Sequence, residues 1–201
     1  MSGSRIFTVG HSNHDAGHFR RLLSEHGIEV LVDVRSWPHS RYVEWADAAD
    51  LPALIAAEGI RYLFLGKELG GRPEGEEFYD VDGHVLYGRV AEQDWFRRAI
   101  ERLERGAEEY RVAIMCSEED PAHCHRRLLV SKVLLERGMT VAHIRKDGQV
   151  EIESGPLKLA EGTLFEDEEK LWRSSLRDLK RVIAVSYTPA TSKPATAPAS
   201  A

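Results

Sequence analysis

Five short apolar runs constrain this chain more than any other feature: residues 5–10 (RIFTVG), 28–36 (IEVLVDVRS), 60–66 (IRYLFLG), 110–116 (YRVAIMC) and 140–145 (TVAHIR). They are rich in β-branched and aromatic residues and near-continuous rather than alternating, the mark of strands covered on both faces. Between them lie stretches of helical period. Residues 14–27 put Phe19, Leu22 and Leu23 on one stripe before Gly27, 49–59 form a short helix closed by Gly59, and 91–106 bring Trp95, Phe96, Ala99, Ile100 and Leu103 together. This alternation predicts an α/β fold: a mostly parallel sheet flanked by helices, Rossmann-like and three-layered, with right-handed crossovers. KDGQ at 146–149 is a turn signal that folds VEIES at 150–154 back as an antiparallel edge hairpin near the C-terminus.

With 201 residues, 42% of them hydrophobic, one domain over residues 1–185 is expected. Its last part, about 160–185, reads as a helical extension, and the Pro, Ala, Ser and Thr of 186–201 read as a disordered tail. The opening MSGSRIFTVGHS has no long apolar segment, and no run approaches the roughly 18 residues of a membrane span, so a cytoplasmic protein with no membrane partner is expected. Only two cysteines are present, which suits free thiols in a reducing compartment rather than a disulfide framework. The net charge of −6 argues against a broad basic face for unspecific nucleic-acid binding and leaves a local basic pocket open. Residues 66–88 have no sustained period and read as a long loop or lid.

Polar groups collect where the strands end: Gly10, His11 and Ser12 after the first, Asp33 and Arg35 after the second, Cys116 and Glu118 after the fourth. In open α/β sheets that edge is where ligands bind. Asp120 and Pro121 make an N-cap and N1 pair, so a helix is expected from Pro121 to Gly138, aiming its free N–H groups and Arg126 into the same crevice. An anionic ligand follows from this.

The motifs TVGHSN (8–13), VDVRSWPHSR (32–41), LGG (69–71) and MCSEEDPAHCHR (115–126), in this order, resemble the family called domain of unknown function 488, over roughly residues 6–153. The resemblance implies a compact α/β domain with signature positions at His11, Ser12, Asp33, Arg35, Pro38, Ser40, Gly70, Gly71, Cys116, Cys124, His125 and Arg126. It carries no reaction with it.

The residues themselves leave several chemistries open. Cys116, ending a buried strand near arginines, reads either as an activated nucleophile or as a small buried hydrophobe. The scheme of cysteine-dependent phosphatases needs an arginine six positions after the cysteine, and position 122 is Ala. Cys116, His123, Cys124 and His125 carry metal-binding atoms, but three consecutive residues on a regular helix splay around it and no second ligand set exists, so no metal ligand is assigned. A reversible disulfide between Cys116 and Cys124 is the other pairing open to them. His11 and His125 can transfer protons, or cap and pack. Asp33 and Arg35, two apart on an extended segment, can hold one another or a substrate. Trp37, Tyr42 and Trp45 sit among His39, Ser40 and Arg41, a mixture that can stack on bases and hold phosphate or simply join the core. Gly70 and Gly71 before Arg72 allow close backbone approach to a ligand, or a tight turn.

The reading that joins these features is a hydrolase or transferase acting on a phosphorylated, nucleotide-like or nucleic-acid substrate. His11, Asp33, Cys116 and His125 would carry the chemistry, and Ser12, Arg35, Ser40, Arg41, Gly70, Gly71, Glu118, Cys124 and Arg126 would hold the substrate. The alternatives are a noncatalytic nucleotide or nucleic-acid binding module, and a thiol redox or metal-binding sensor using Cys116 and Cys124. No G-x-G-x-x-G follows the first strand and no Walker-type loop is present, so no cofactor is named.

Overall fold

Each of the five apolar runs forms a strand in the computed structural model, which describes residues 4–40, 42–156 and 172–175. The strands are β1 (Arg5–Gly10), β2 (Val30–Asp33), β3 (Arg61–Phe64), β4 (Val112–Cys116) and β5 (Thr140–Ile144), and the expected hairpin adds β6 (Val150–Ser154). They make one six-stranded sheet in the order β3-β2-β4-β1-β5-β6, parallel throughout except for the antiparallel β5–β6 edge.

The order of connections explains the three layers. From β1 through β2 to β3 the chain moves toward one edge, so right-handed crossovers lay α1 (Ala16–Glu25) and α2 (Leu51–Ala56) on one face. There Phe19, Leu22, Leu23, Leu51 and Ile55 pack on Phe7, Val9, Leu31, Ala113 and Met115. From β3 through β4 to β5 the direction reverses. The helices α5 (Asp94–Glu109) and α6 (Lys132–Glu136) then cover the opposite face, where Phe96, Ile100, Leu103, Leu129 and Leu134 meet Ile6, Val32, Ile114 and Val141. Burial of each such side chain stabilises the fold by about 1.5–3 kcal/mol. Asp15 caps α1, its carboxylate accepting from His18 N at 2.8 Å.

One polar network interrupts the α5 side of the sheet. Thr8 Oγ1 lies 2.7 Å from His143 Nδ1, His143 Nε2 is 3.0 Å from Glu153 Oε2, and Arg127 pairs with Glu153 at 2.7 Å. Thr8 and His143 are 0% and 1% exposed. Burial works against charge on Glu153, but the His143 hydrogen bond and Arg127 outweigh it and hold its pKa down to about 2.

Two expectations are corrected. The helix from Pro121 to Gly138 is not continuous. Pro121–His123 is a single 3₁₀ turn, capped as expected by Asp120 accepting from Ala122 N at 2.9 Å, and Cys124 is then extended (φ −100°, ψ 140°). The helix proper starts with a π-helical stretch, Arg126–Ser131, where the Ser131 hydroxyl donates to the Arg126 carbonyl at 2.7 Å, and continues as α6. Residues 66–88 are no free lid either: α3 (Gly66–Leu69), a 3₁₀ turn at Glu76–Phe78 and the start of α4 (Tyr87–Ala91) lie in them, and Leu69, Phe78, Tyr79, Val85, Leu86 and Tyr87 are buried. The expected helix at about 160–185 and the tail at 186–201 lie outside the described residues except for 172–175. That short piece is not helical: Arg173 bridges to Leu86, and Ser174 N donates to the Val85 carbonyl at 2.9 Å. Among the described residues no helix is long and apolar enough to cross a membrane.

Candidate active site

β4 lies between β2 and β1, and the chain leaves β4 toward the face opposite to the one it takes from those neighbours. The C-terminal end of β4 is therefore the switch point of this sheet. Its last residue is Cys116, 3% exposed. The loop that follows is pinned on both sides. Toward β1, His11 N donates to the Cys116 carbonyl (3.0 Å) and Ser12 N to the Ser117 carbonyl (2.8 Å). This approach is why residue 10 is glycine: a Cβ there would sit 1.9 Å from the Glu118 carbonyl oxygen. Behind the loop the fully buried Arg126 donates from Nη1 to the Glu118 carbonyl and from Nη2 to the Glu119 carbonyl (2.6 Å). Arg126 is thus a clamp on the loop backbone, not the substrate-holding group expected from the sequence. Glu119 is tied outward to Arg145 at 2.9 Å.

The clamped loop sets the Glu118 carboxylate against both sulfurs. Oε2 accepts from Cys116 Sγ at 3.0 Å and from Cys124 Sγ at 3.1 Å. The extended conformation of Cys124 is what turns its sulfur back toward the strand end. His125 joins from the other side, Nδ1 lying 3.7 Å from Cys116 Sγ and 4.0 Å from Cys124 Sγ. Its Nε2–H donates to the Val34 carbonyl at 3.0 Å, which leaves the Nδ1 lone pair facing the sulfurs. Burial, and then the neighbouring Cys116, push the Cys124 thiol well above its ordinary range. Burial also opposes charge on Glu118, yet the two thiol hydrogen bonds prevail and hold it below the usual glutamate range. For His125 burial favours the neutral ring, but contact with Cys124 wins and raises it.

A second cluster stands at the end of β2. Asp33 is 0% and Arg35 3% exposed, and they pair through Nε (2.9 Å) and Nη2 (2.6 Å). The Tyr62 hydroxyl donates to the same carboxylate at 2.9 Å; burial, and then the Asp33 charge, move its own pKa upward. His11 Nδ1–H donates to the Ser12 carbonyl (2.9 Å), so Nε2 accepts from Arg35 Nη1 at 3.2 Å. Burial, and then the adjacent Arg35 charge, lower the His11 pKa to about 4. His11 is therefore neutral at pH 7 and positions Arg35.

The two clusters border one cleft of about 240 Å³, whose walls include Arg35, Trp37, Arg72, Cys116, Glu118 and His125. Cys124 and Gly71 also line it. Gly71 packs on the imidazole, a Cβ there falling 2.7 Å from His125 Cγ, and a Cβ on Gly70 would lie 2.4 Å from Ser36 Oγ. The glycine pair thus seats the protein's own groups. Asp33 lies behind Arg35, Ser12 contributes its backbone, and Ser40 accepts from Val43 N at 3.0 Å as a turn cap away from the cleft. Arg41 is outside the described residues. Trp37, which the sequence offered as a stacking group or a core residue, stands at the rim; the residues that the sequence did not put forward as site groups are Arg72 beside it, Tyr87 and Ser174 in the wall, and Tyr62 behind Asp33. For Arg72 the signal was its place directly after the two glycines. For Tyr62 and Ser174 the contacts are long-range and leave no local mark.

No curated protein and no solved structure matches the chain. A family model does match, over residues 16–133, more than half of the sequence, and this span contains the whole thiol cluster together with Asp33 and Arg35. The chain belongs to the family described as Domain of unknown function DUF488.

Proposed function

We propose that this protein is a hydrolase or transferase acting on an anionic substrate, phosphorylated, nucleotide-like or the end of a nucleic acid, in the cleft at the end of β4. The observation that carries the reading is the pairing, across one small cleft, of a Cys–Glu–Cys–His cluster with guanidinium groups. Arg35 has five N–H donors, of which Asp33 and His11 take one on each nitrogen, leaving one on Nη1 and one on Nη2 for a ligand. Arg72 stands at the rim with no such restraint on its guanidinium among the described residues, and Trp37, 72% exposed, offers a stacking face beside it. A cleft of 240 Å³ lies below the roughly 300–1,000 Å³ of drug-sized pockets. It suits one phosphoryl-bearing group rather than a dinucleotide.

In this reading the anionic group rests on Arg35 and Arg72, and the reacting centre faces the sulfurs, Glu118 and His125. Glu118 and His125 are the groups able to take up and return a proton there. Turnover of a panel of phosphomonoesters, mononucleotides and short 5′- or 3′-phosphorylated oligonucleotides tests it. Turnover of one class that is lost in Glu118→Gln and shows a raised KM in Arg72→Ala is expected. Tight binding of the panel without turnover would instead establish the noncatalytic module. A second reading, the thiol sensor, is favoured by one observation: both sulfurs and the imidazole Nδ1 lie within 4.8 Å of one another.

A further inference from the structure

The thiol cluster has the composition and dimensions of a metal site. From the sequence, three consecutive residues on a helix could not converge. The chain avoids this because Cys124 is extended and the helix begins only after His125. His123 takes no part, and Cys116 supplies the third donor from the end of β4. Bond lengths of about 2.3 Å to sulfur and 2.0–2.1 Å to nitrogen at tetrahedral angles give edges of about 3.6 Å between S and N and about 3.8 Å between two sulfurs. The two S···N separations, 3.7 and 4.0 Å, therefore require shifts of only a few tenths of an ångström to receive an ion.

The surroundings are those of a prepared site as well. The His125 Nε2–H bond to the Val34 carbonyl fixes the tautomer whose Nδ1 lone pair points at the sulfurs, the usual outer partner of a ligating histidine. Arg126 N lies 3.5 Å from Cys124 Sγ, a backbone donor to that sulfur. Gly71 packs closely on the ring. Two thiolates and one imidazole are soft donors, which select zinc-class ions over magnesium or calcium.

We infer that Cys116, Cys124 and His125 bind one zinc-class divalent ion, with its fourth position open to the cleft beside Glu118. Both thiols lose their protons when the ion binds, so the two thiolates neutralise its charge, and the Glu118 carboxylate, no longer bonded by the thiol protons, leaves the centre with a net charge of about −1. Three protein ligands with a free fourth position is the form of a catalytic rather than a structural zinc site. Bound there, the ion would supply Lewis acidity toward an oxygen of a group held by Arg35 and Arg72, with Glu118 beside the fourth position. That role rests on the proposed function, whereas binding of the ion stands on the geometry alone.

The test is titration of reduced, chelator-treated full-length protein with Co²⁺ and then Zn²⁺. The expected result is one ion per chain, thiolate-to-cobalt charge-transfer absorption with tetrahedral ligand-field bands, and displacement of cobalt by zinc. Loss of a ligand should exceed the 10–100-fold effect of removing an outer-sphere partner, so Cys124→Ser should weaken binding by about 100-fold or more. Glu118→Gln should keep the cobalt spectrum. No stoichiometric binding by the wild type, binding undiminished in Cys124→Ser, or a spontaneous Cys116–Cys124 disulfide in place of metal would each overturn the inference. Its failure is separable from that of the enzyme reading. Stoichiometric cobalt binding with no turnover of the anionic panel supports the site and sinks the enzyme, and turnover by a protein that binds no cobalt does the reverse.

Discussion

Replacing Asp33 by alanine isolates the charge of Arg35. The carboxylate is 0% exposed and holds the guanidinium at 2.9 Å through Nε and at 2.6 Å through Nη2, with Tyr62 as a further donor at 2.9 Å. Breaking a buried ion pair by removing one partner costs about 3–5 kcal/mol, because the remaining charge has lost its counterion without regaining water. The lower end applies here, since Arg35 keeps N–H groups at a cleft that water enters. About 3 kcal/mol in a chain of this length corresponds to a fall in Tm of about 6–12 °C. Urea unfolding followed by circular dichroism, at pH 7, measures it. The decisive comparison is Asp33→Ala with and without Arg35→Met: the double variant should recover at least half of the loss, because it contains no unpaired buried charge. A loss below about 1 kcal/mol for Asp33→Ala, or a double variant as unstable as the sum of the singles, would refute the argument.

Four further outcomes follow from the same structure. Gly71→Ala puts a methyl 2.7 Å from the His125 ring and should displace the imidazole, lowering cobalt affinity about tenfold with a change in Tm of a few degrees; unchanged affinity would show that the ring is not seated by this contact. Arg72→Ala should leave stability within about 0.5 kcal/mol and weaken binding of phosphorylated ligands, whereas Arg126→Met, which frees the Glu118 and Glu119 carbonyls, should cost about 2 kcal/mol or more in urea unfolding. Glu153, held down to about 2, contributes stability that is fully present above the ordinary glutamate range near 4.5 and is lost as pH falls toward 2. With its side chain 23% exposed, about 2 kcal/mol of that is expected, read as the amount by which wild type loses its advantage over Glu153→Gln between pH 5 and pH 2.5.

The strands were legible because burial on both faces leaves an unbroken apolar run, and so were α1, α2 and α5, whose apolar stripes keep helical period. Strand order was not. Insertion of β4 between β1 and β2 is decided by which crossovers cover which face, and no local pattern encodes it. The reading of residues 121–138 failed for a definite reason: the Asp120–Pro121 cap is real, but it starts only one turn, and nothing in the composition of AHCHRR says that Cys124 is extended. Within the candidate site, the sequence placed Cys116, Cys124, His11, His125 and Arg35 at one edge of the sheet, and the structure has them there. It misjudged Arg126, since an arginine bonded to backbone carbonyls and one awaiting a phosphate look identical in a sequence. Tyr62 and Arg72 escaped because a phenol on an edge strand and a basic residue after two glycines have many other uses.

The Thr8–His143–Glu153 network has the connectivity of a nucleophile, base and orienting acid, yet it lies under the sheet face where no substrate enters. Thr8 and His143 are directly paired across β1 and β5, and Glu153 belongs to β6. Slipping the β5–β6 hairpin by a single residue would turn His143 toward the α1 face, among Phe7 and Val9, and leave Thr8 without its partner. The apolar residues of β5 cannot prevent such a slip by themselves, because Val141, Ala142 and Ile144 are accepted on either face. The hydrogen-bonded chain makes only one alignment free of stranded polar groups, and so it works as the indexing pin that locks the edge of the sheet to its centre.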